Sequence, residues 1–583
     1  MRTYLPLAIV PLALILWGLF GAPALLNTGF RVLSDYQTPY SEQPQPGAGG
    51  EALTSQVVLI VAGGLRLDQS TQMSNLNALR ARGADRLMRA GLPSFSLPAW
   101  SVIGTGAWPE HTGQTTDISA RPLALDSIFL AARRKGSSTA LTGPPGWSVL
   151  FKDHVEMLIS EPDPPAAPDH LDQARKQDDA VEADALRVLR ENNPNLLLIY
   201  FGEAEFANHA YGAGSPEDRQ ARQDVDARLG RLLQVIDLSK STLLFTSDHG
   251  HIDRGGHGGP EDAVLNVPFV AAGRAILSGH YEAATQADIA PTIAVVLGAS
   301  LPTANQGDVL FDMLDSMPSW QAQRTVDWAK QVVSRADLLA KVIAVGSVEH
   351  PKLATAQTAL AAGDTATAIG GARAEVQATR DVLFAFREGR LETERLTRTP
   401  AFLLILLPLA LYVWFMRREG WPFRRPLLGA FTYFVVFYAV LFARGDYFSF
   451  SVLNADERLV DGISARTADA LLALIASTAV VAILSRASTR FQLLLDIVNT
   501  AFVIGALLWL QLDVFYWLWD FTWLWYLPDQ TLTVKFYLDV VQSGAFMLSN
   551  PPMPVILILP LLALAAQWLA QRLLPVRAQS ASD

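Results

Sequence analysis

The sequence contains no cysteine in its 583 residues, which excludes disulfide bonds, thiolate metal ligands and a cysteine nucleophile. It also has no run of Lys or Arg in its polar central region, and its formal net charge is −10, so we expect no nucleic acid among its partners. Charged residues make up only 17% of the chain, and hydrophobic residues make up 50%. That mixture is too apolar for a purely soluble protein and too charged for a membrane bundle alone.

Long apolar segments lie at both ends of the chain. The first covers residues 5–27, and five more follow at 401–416, 426–443, 469–485, 493–518 and 552–573. Their lengths are close to that of a helix that crosses a bilayer. A cleaved signal peptide is the alternative for the first segment, but its length and the single Arg2 before it favour a retained anchor.

The distribution of basic residues predicts the orientation of these spans. The basic loops 416–425 and 485–490 alternate with loops of mixed charge, and basic loops tend to stay in the cytoplasm. We therefore expect a multi-pass protein of the cell membrane with six spans and both termini in the cytoplasm. Residues 28–400 would then lie on the extracytoplasmic side of the membrane.

Composition divides the chain into five regions. They are a transmembrane anchor at 1–28, a linker at 29–50, a domain of alternating strands and helices at 51–312, an Ala-rich helical stalk or subdomain at 313–398, and a five-span transmembrane region at 399–583.

Buried strands and helices alternate within residues 51–312. The strands are expected at 57–61, 196–201, 242–247 and 267–273, and helical spacing occurs at 178–192 and 223–238. This alternation predicts an α/β fold with a mostly parallel sheet flanked by helices. Ligands bind beyond the carboxyl ends of the strands in such sheets, so the polar residues just after each strand are candidates for a site.

Two of these strand ends are rich in residues that bind metals. The expected strand at 196–201 is followed by Glu203, Glu205 and His209. The expected strand at 242–247 is followed by Asp248, His249, His251, Asp253 and His257. Imidazole and carboxylate ligands at one edge of a sheet suit zinc or a similar divalent ion. A polar loop with incidental histidines is the alternative.

A third segment, "LPSFSLPAWSVIGTGAWPEHTG" at 92–113, contains a candidate nucleophile. Ser96 precedes Pro98, and proline is favoured in the first turn of a helix. A hydroxyl at that position meets free backbone N–H groups, where a phosphate or sulfate would be held and attacked. Ser96 could also simply cap the helix, and the two roles do not exclude one another.

Together these segments resemble the alkaline phosphatase superfamily, and within it the type I phosphodiesterase/nucleotide pyrophosphatase branch, which is akin to membrane-bound ethanolamine-phosphate transferases. The resemblance covers about residues 55–300, and its specific parts are "SDHG…GGHGG" at 247–259 and "DIAPTIA" at 288–294. It implies an alkaline phosphatase-like domain with two divalent metals, expected to be zinc. By this resemblance Ser96 is the catalytic nucleophile, and the metal ligands are Ser96, Glu205, His209, Asp248, His249 and His257.

The sequence departs from this pattern after the first strand. The aspartate that the family places there is Gly63, so one metal site is expected to be impaired. Asp68, five residues on, is a possible but weak substitute. We expect Gly63→Asp to raise activity if the missing carboxylate limits the site.

The predicted function is therefore that of an extracytoplasmic, metal-dependent phosphoric ester hydrolase or phosphoryl-group transferase. A site above a bilayer suggests a phosphoester substrate that is lipid-linked. One alternative, favoured by Gly63, is a non-catalytic membrane protein that keeps the fold to bind phosphorylated lipid or glycan. A sulfatase is disfavoured because Trp100 replaces the arginine of the sulfatase signature and no cysteine is present.

Overall fold

The computed structural model describes residues 5–118, 120–163, 170–343, 348–418, 420, 423–455, 459–549 and 552–573. Its largest feature is a nine-stranded sheet with the order β4-β3-β5-β1-β6-β7-β2-β8, in which β9 also pairs with β2. The strands are β1 Gln56–Ala62, β2 Ala84–Arg89, β3 Thr139–Gly143, β4 Met157–Ser160, β5 Leu196–Phe201, β6 Ser241–Thr246, β7 Asn266–Gly273, β8 Gly279–His280 and β9 Ala284–Thr285.

The sheet is mostly parallel, as the sequence predicts. Only β7 runs antiparallel to its neighbours β6 and β2. The central strands β1, β5 and β6 are buried along their whole length, which explains why each contains a continuous apolar run rather than an alternating pattern. Each of these three strands begins and ends within one residue of its predicted bounds.

Helices cover both faces of the sheet. Two further helices, α1 Leu5–Leu16 and α2 Ala22–Ser34, precede the first strand in the chain. The helices among the strands are α3 Leu67–Ser70, α4 Ser74–Arg80, α5 Ser96–Thr105, α6 Pro109–Thr112, α7 Ile128–Arg134, α8 Pro145–Phe151, α9 Leu171–Glu191, α10 Glu203–Tyr211, α11 Pro216–Leu232, α12 Asp262–Leu265 and α13 Ile289–Val296.

The predicted helix at 223–238 begins earlier than expected. In the structure α11 starts at Pro216, after Ser215, whose side chain accepts a hydrogen bond from the backbone N–H of Asp218. A serine cap followed by proline is a strong start signal, and it outweighs the polar composition of the first turns.

The helical region after the sheet packs on the same core. It contains α14 Pro318–Val342, α15 Pro351–Ala361 and α16 Thr365–Arg418. Val326 and Ala372 belong to the buried cluster that also contains Val57 of β1. The 54-residue helix α16 continues without interruption through the predicted boundary between residues 398 and 399. One helix therefore forms both part of the predicted stalk and the next membrane-length segment.

Six helices within the described residues are long and apolar enough to cross a membrane. They cover Pro6–Ser34, Thr365–Arg418, Arg424–Ala443, Gly462–Leu484, Arg490–Trp519 and Val555–Leu573. The remaining C-terminal elements are α17 Arg424–Ala443, α18 Phe450–Ala455, α19 Leu459–Leu484, α20 Arg490–Trp519, α21 Gln530–Gly544, β10 Met547–Ser549, β11 Pro552–Pro554 and α22 Leu559–Leu573. The N-terminal helix extends to Ser34, into the predicted linker. The protein is thus a membrane protein with several apolar helices.

Candidate metal centre

The carboxyl ends of β1, β5 and β6 meet at one edge of the sheet. Parallel pairing sets Ala62 beside Phe201 and Val61 beside Thr246, so the loops that follow these strands are neighbours. Helix α10 begins directly after β5 and carries Glu205 and His209, which lie one turn apart on the same helix face. The loop after β6 and the N-terminus of α5 lie at the same edge of the sheet.

Glu205 lies at the centre of four histidines. Its Oε1 is 3.1 Å from Nε2 of His209 and 3.2 Å from Nε2 of His257. Its Oε2 is 2.6 Å from Nε2 of His251 and 4.0 Å from Nδ1 of His249. Nε2 of His209 and Nε2 of His257 are only 2.9 Å apart. The structure therefore brings together four of the predicted ligands, Glu205, His209, His249 and His257, and adds His251.

Backbone carbonyls fix the orientation of three of these rings. In each ring Nδ1 faces a carbonyl oxygen, which can only accept a hydrogen bond: His249 faces Gly250 at 3.1 Å, His257 faces Ser94 at 3.1 Å, and His251 faces Gly255. In the neutral ring this places the proton on Nδ1 and the lone pair on Nε2. Anchoring of this kind is typical of histidines that bind metals.

Charge interactions within the cluster shift its pKa values. Burial raises the pKa of Glu205, but the imidazoles of His251, His249 and His257 outweigh that effect and hold the pKa well below its usual range. Burial lowers the pKa of His257, but the Glu205 carboxylate, the charge of Asp117 and the hydrogen bond to Ser94 together raise it to about 9. Burial and the charge of His257 keep the pKa of His249 well below normal. The half-buried carboxylate therefore requires positive charge close to it.

This donor set fits a divalent cation. The ligand atoms of Glu205, His249 and His257 lie within 4.8 Å of one another, and so do those of Glu205, His209 and His251. Both groups share the one carboxylate. Imidazole nitrogens with a carboxylate oxygen are the ligands that zinc prefers in sites without cysteine.

Ser96 lies beside this cluster. It is the first residue of α5, and its Oγ is 3.0 Å from Nε2 of His249. The backbone N–H groups of Ser96 and Leu97 donate to the Asp117 carboxylate at 3.3 and 2.7 Å. An anion at this helix N-terminus agrees with the positive end of the helix dipole. Asp117 thus occupies the place where the sequence predicts a phosphate.

The Asp248 carboxylate lies beside one histidine, with Oδ2 3.8 Å from Nε2 of His249, but its hydrogen bonds go to other groups. Its Oδ2 accepts hydrogen bonds from Nε1 of Trp100 at 2.7 Å and from the Tyr200 hydroxyl at 3.3 Å. Its Oδ1 accepts from the backbone N–H groups of Gly64 at 3.1 Å and His249 at 2.9 Å. Burial and the charge of Glu205 raise the pKa of Asp248 to about 7. Both oxygens of this predicted ligand are therefore already engaged.

The Tyr200 hydroxyl fills the space beside Gly63. A Cβ built at Gly63 would lie 2.1 Å from that hydroxyl. The aspartate predicted by resemblance has no room here, because Tyr200 has taken its place. Asp68 does not replace it, since both its oxygens accept from the Arg66 guanidinium at 3.0 and 2.9 Å.

Gly64 allows the centre to pack closely against the first loop. Its φ is +68°, and a Cβ there would lie 2.3 Å from Oε2 of Glu205 and 2.6 Å from Nε2 of His251. Only glycine adopts this conformation readily and leaves room for both side chains.

The other acids near these strand ends have different partners. Glu203 binds Arg228 at 2.8 Å and Arg175 at 3.0 Å, and Asp253 binds Arg66 at 2.7 Å. The sequence analysis named His251 among the metal-binding residue types of its loop but did not assign it as a ligand, and it missed Asp117. Asp117 has no sequence signal, because it lies in a loop with no recognisable motif.

The position of Tyr200 changes the expected effect of Gly63→Asp. Alone, this substitution should lower the thermal unfolding midpoint, because the new Cβ overlaps the Tyr200 hydroxyl and overpacking typically costs about 1–3 kcal/mol. Gly63→Asp combined with Tyr200→Phe, which removes the hydroxyl nearest the new Cβ and keeps the buried ring, should recover part of the stability and increase the metal bound per chain. Tyr200→Phe alone is the control. A Gly63→Asp single variant that unfolds like the wild type and binds extra metal would contradict this account.

Comparison with known proteins supports the resemblance found in the sequence. Residues 57–257 match the family model described as type I phosphodiesterase / nucleotide pyrophosphatase. The human GPI ethanolamine phosphate transferase 2 catalytic subunit is 22% identical over 337 residues, which cover 53% of this chain and 33% of that protein. Human ectonucleotide pyrophosphatase/phosphodiesterase family member 7 is 26% identical over 235 residues, which cover 35% of this chain and 50% of that protein.

Among solved structures, that of human ectonucleotide pyrophosphatase / phosphodiesterase 5 has a TM-score of 0.37 and 15% sequence identity, and covers 45% of this chain and 100% of that chain. The chain spans a third of the length of the transferase and half the length of family member 7. The match of residues 57–257 to this family model confirms the resemblance found in the sequence.

Proposed function

We propose that this protein is a metal-dependent phosphodiesterase or phosphotransferase of the membrane surface, with Ser96 as its nucleophile. The observation that carries the proposal is the 3.0 Å contact between the Ser96 hydroxyl and His249, at a helix N-terminus beside the Glu205 cluster. A nucleophile, a base and an anion site then lie within one edge of the sheet.

We assign the principal metal site to Glu205, His209, His251 and His257. Zinc is the proposed ion, because it suits one carboxylate with several imidazoles. When bound, such an ion supplies a Lewis acid that polarises a phosphoryl oxygen and stabilises charge on it. A second, weaker ion between Ser96, Asp248 and His249 is the arrangement implied by resemblance. It is disfavoured by Gly63 and by the hydrogen bonds that hold Asp248.

His249 is placed to accept the proton of Ser96. Its Nδ1 donates to the Gly250 carbonyl, which leaves the lone pair of Nε2 to accept from Oγ of Ser96. As Oγ attacks phosphorus, the Oγ–P bond forms, the bond from phosphorus to the leaving oxygen breaks, and the serine proton passes to His249. That proton then neutralises the leaving alkoxide. Water or an acceptor alcohol afterwards takes the phosphoryl group from Ser96.

The substrate phosphate should take the N–H groups that Asp117 now occupies. The phosphoryl oxygens are anionic, and the N-terminus of α5 offers two backbone donors next to the attacking hydroxyl. The Asp117 side chain is exposed at the end of a loop, so it can turn into solvent when a substrate binds.

We further propose that the sheet domain is extracytoplasmic, with six spans and both termini in the cytoplasm. Arg418 and Arg424 lie at the junction of α16 and α17, and Arg486 and Arg490 lie at the junction of α19 and α20. Alternating helices bring these two junctions to the same side. Basic junctions favour the cytoplasm, and the sheet domain joins the opposite end of α16.

A lipid-linked phosphoester is the proposed substrate class. A cavity of about 330 Å³ lies between the sheet domain and the membrane region, lined by Pro260, Glu261, Tyr447, Phe448, Ser449 and Thr531. Two of these residues follow His257 closely in the chain, and four come from the membrane region. A substrate held in the bilayer could therefore approach the centre from this side. The similarity to a GPI ethanolamine phosphate transferase agrees with such a substrate.

The function is tested with the full chain in detergent. We expect bound zinc and hydrolysis of an aryl phosphodiester, with Ser96→Ala reducing the rate by about 10³-fold or more while keeping its zinc, because a nucleophile is lost but no principal ligand is. Glu205→Ala should lose both zinc and activity. His280→Ala is the control, since this exposed histidine pairs only with Asp85 among the contacts described.

The outcomes separate the alternatives. Activity that survives Ser96→Ala would reject the nucleophile. Two zinc ions per chain would support the second site at Ser96, Asp248 and His249. No zinc and no activity on a phosphodiester, a monoester or a sulfate ester would favour a protein that only binds phosphorylated lipid or glycan.

Asp117→Ala provides a separate prediction. Removing this carboxylate frees two backbone N–H groups for an anion, so inorganic phosphate should inhibit the variant more strongly, with an inhibition constant lower by about tenfold, which corresponds to about 1.4 kcal/mol. The measurement is phosphate inhibition of diester hydrolysis. Asp237→Ala, at the opposite edge of the sheet before β6, is the control and should behave like the wild type. Loss of zinc in Asp117→Ala would instead identify Asp117 as a ligand.

A further inference from the structure

A segment of the membrane region reaches the loop that carries His257. Residues 446–452, between α17 and α19, form this segment, and residues 252–261 form the metal-ligand loop. The two meet at Ser451, whose side chain is fully buried. Its Oγ accepts a hydrogen bond from the backbone N–H of Gly259 at 2.9 Å and donates one to Oε2 of Glu261 at 2.7 Å. One hydroxyl thus holds the loop at two points.

The same loop is held from the other side by Ser94. The Ser94 hydroxyl donates to the carbonyl of Gly259 at 2.8 Å, and its backbone N–H donates to the carbonyl of Gly258 at 3.3 Å. The carbonyl of Ser94 in turn accepts from Nδ1 of His257 at 3.1 Å. A short series of hydrogen bonds therefore links Ser451 to His257, and Ser94 stands only two residues before Ser96.

The contact at Gly259 is very close. A Cβ at this position would lie 1.9 Å from Oγ of Ser449 and 2.8 Å from Oγ of Ser451. The backbone of the metal-ligand loop therefore lies directly against the membrane segment, with no space for any side chain between them.

Apolar and charged contacts surround the hydrogen bonds. The ring of Phe95 lies 5.9 Å from that of Phe450 and 5.7 Å from that of His257. Val452 packs in one buried cluster with Ile252 and Val264. Arg254 binds Asp446 at 3.0 Å. The segment thus contacts the metal-ligand loop over most of its length.

We propose that Ser451 is a positioning residue for the metal centre, so that the membrane region holds His257 in the geometry that binds the ion. This inference rests on the proposed metal site and extends it to residues outside the phosphodiesterase domain. The serine hydroxyl matters because one group must both accept a hydrogen bond from the Gly259 N–H and donate one to the Glu261 carboxylate. Threonine supplies both, and alanine supplies neither.

The test compares variants of the full chain in detergent by zinc affinity, measured in competition with a chelator. Ser451→Ala should weaken zinc binding by about 10–100-fold, the range seen when groups that orient metal ligands are removed. Ser451→Thr should restore affinity to near the wild-type value. The matched control is Ser477→Ala, which removes an equally buried hydroxyl that donates to the Gly429 carbonyl inside the helix bundle. That control should keep wild-type zinc affinity.

Three results would overturn the inference: wild-type zinc affinity in Ser451→Ala, equal loss in Ser477→Ala, or no rescue by Ser451→Thr. Its failure is distinguishable from failure of the proposed function. A wild-type chain that binds zinc but cleaves no phosphoester would refute the function and leave the affinity series fully informative. An active enzyme whose zinc affinity does not change when Ser451 is substituted would refute only the positioning role.

Discussion

The structure of the site depends on one half-buried carboxylate, that of Glu205, among four imidazoles. Glu205 extends from the first turn of α10 to the point where the three central strands end, and His209, His251 and His257 each approach one of its oxygens within 3.2 Å. A charge that is partly buried in this way is costly unless it is paired. The histidines supply that pairing, and backbone carbonyls hold three of the rings, so the donor geometry is already in place before any ion binds.

The space beside Gly63 is filled by packing rather than by an acid. Tyr200 places its hydroxyl where the side chain of residue 63 would lie and, together with Trp100, donates a hydrogen bond to Oδ2 of Asp248, the oxygen that lies 3.8 Å from Nε2 of His249. Trp100 stacks on Trp147 with ring centroids 5.1 Å apart, which keeps the indole N–H aimed at Asp248. The centre consequently directs one carboxylate at its imidazoles, and less negative charge means weaker attraction for a second cation.

Sequence alone predicted the parts of this protein that follow from local pattern. Parallel buried strands necessarily bring their carboxyl ends together, so the convergence of Glu205 with His257 followed from the strand assignment. The direction of Asp248 did not, because it is decided by Trp100 on another element. The position of Asp117 could not be predicted either, because this residue lies in a loop with no recognisable motif. The continuity of α16 through residue 398 was equally hidden, since its composition changes from polar to apolar while its helical geometry does not.

The metal-ligand loop is where the sheet domain and the membrane region of the chain meet at the site. Residues 255–259 read "GGHGG", so the ligand His257 is flanked on both sides by glycines. Glycine loses more conformational freedom on folding than any other residue, and such a loop cannot hold a ligand rigidly by its own preferences. Ser94 and Ser451 supply the missing constraint from opposite sides. Since Ser451 belongs to the membrane region, our proposal makes the order of the centre a property of the whole chain, and a sheet domain separated from its membrane helices would lack the Ser451 hydrogen bonds to this loop.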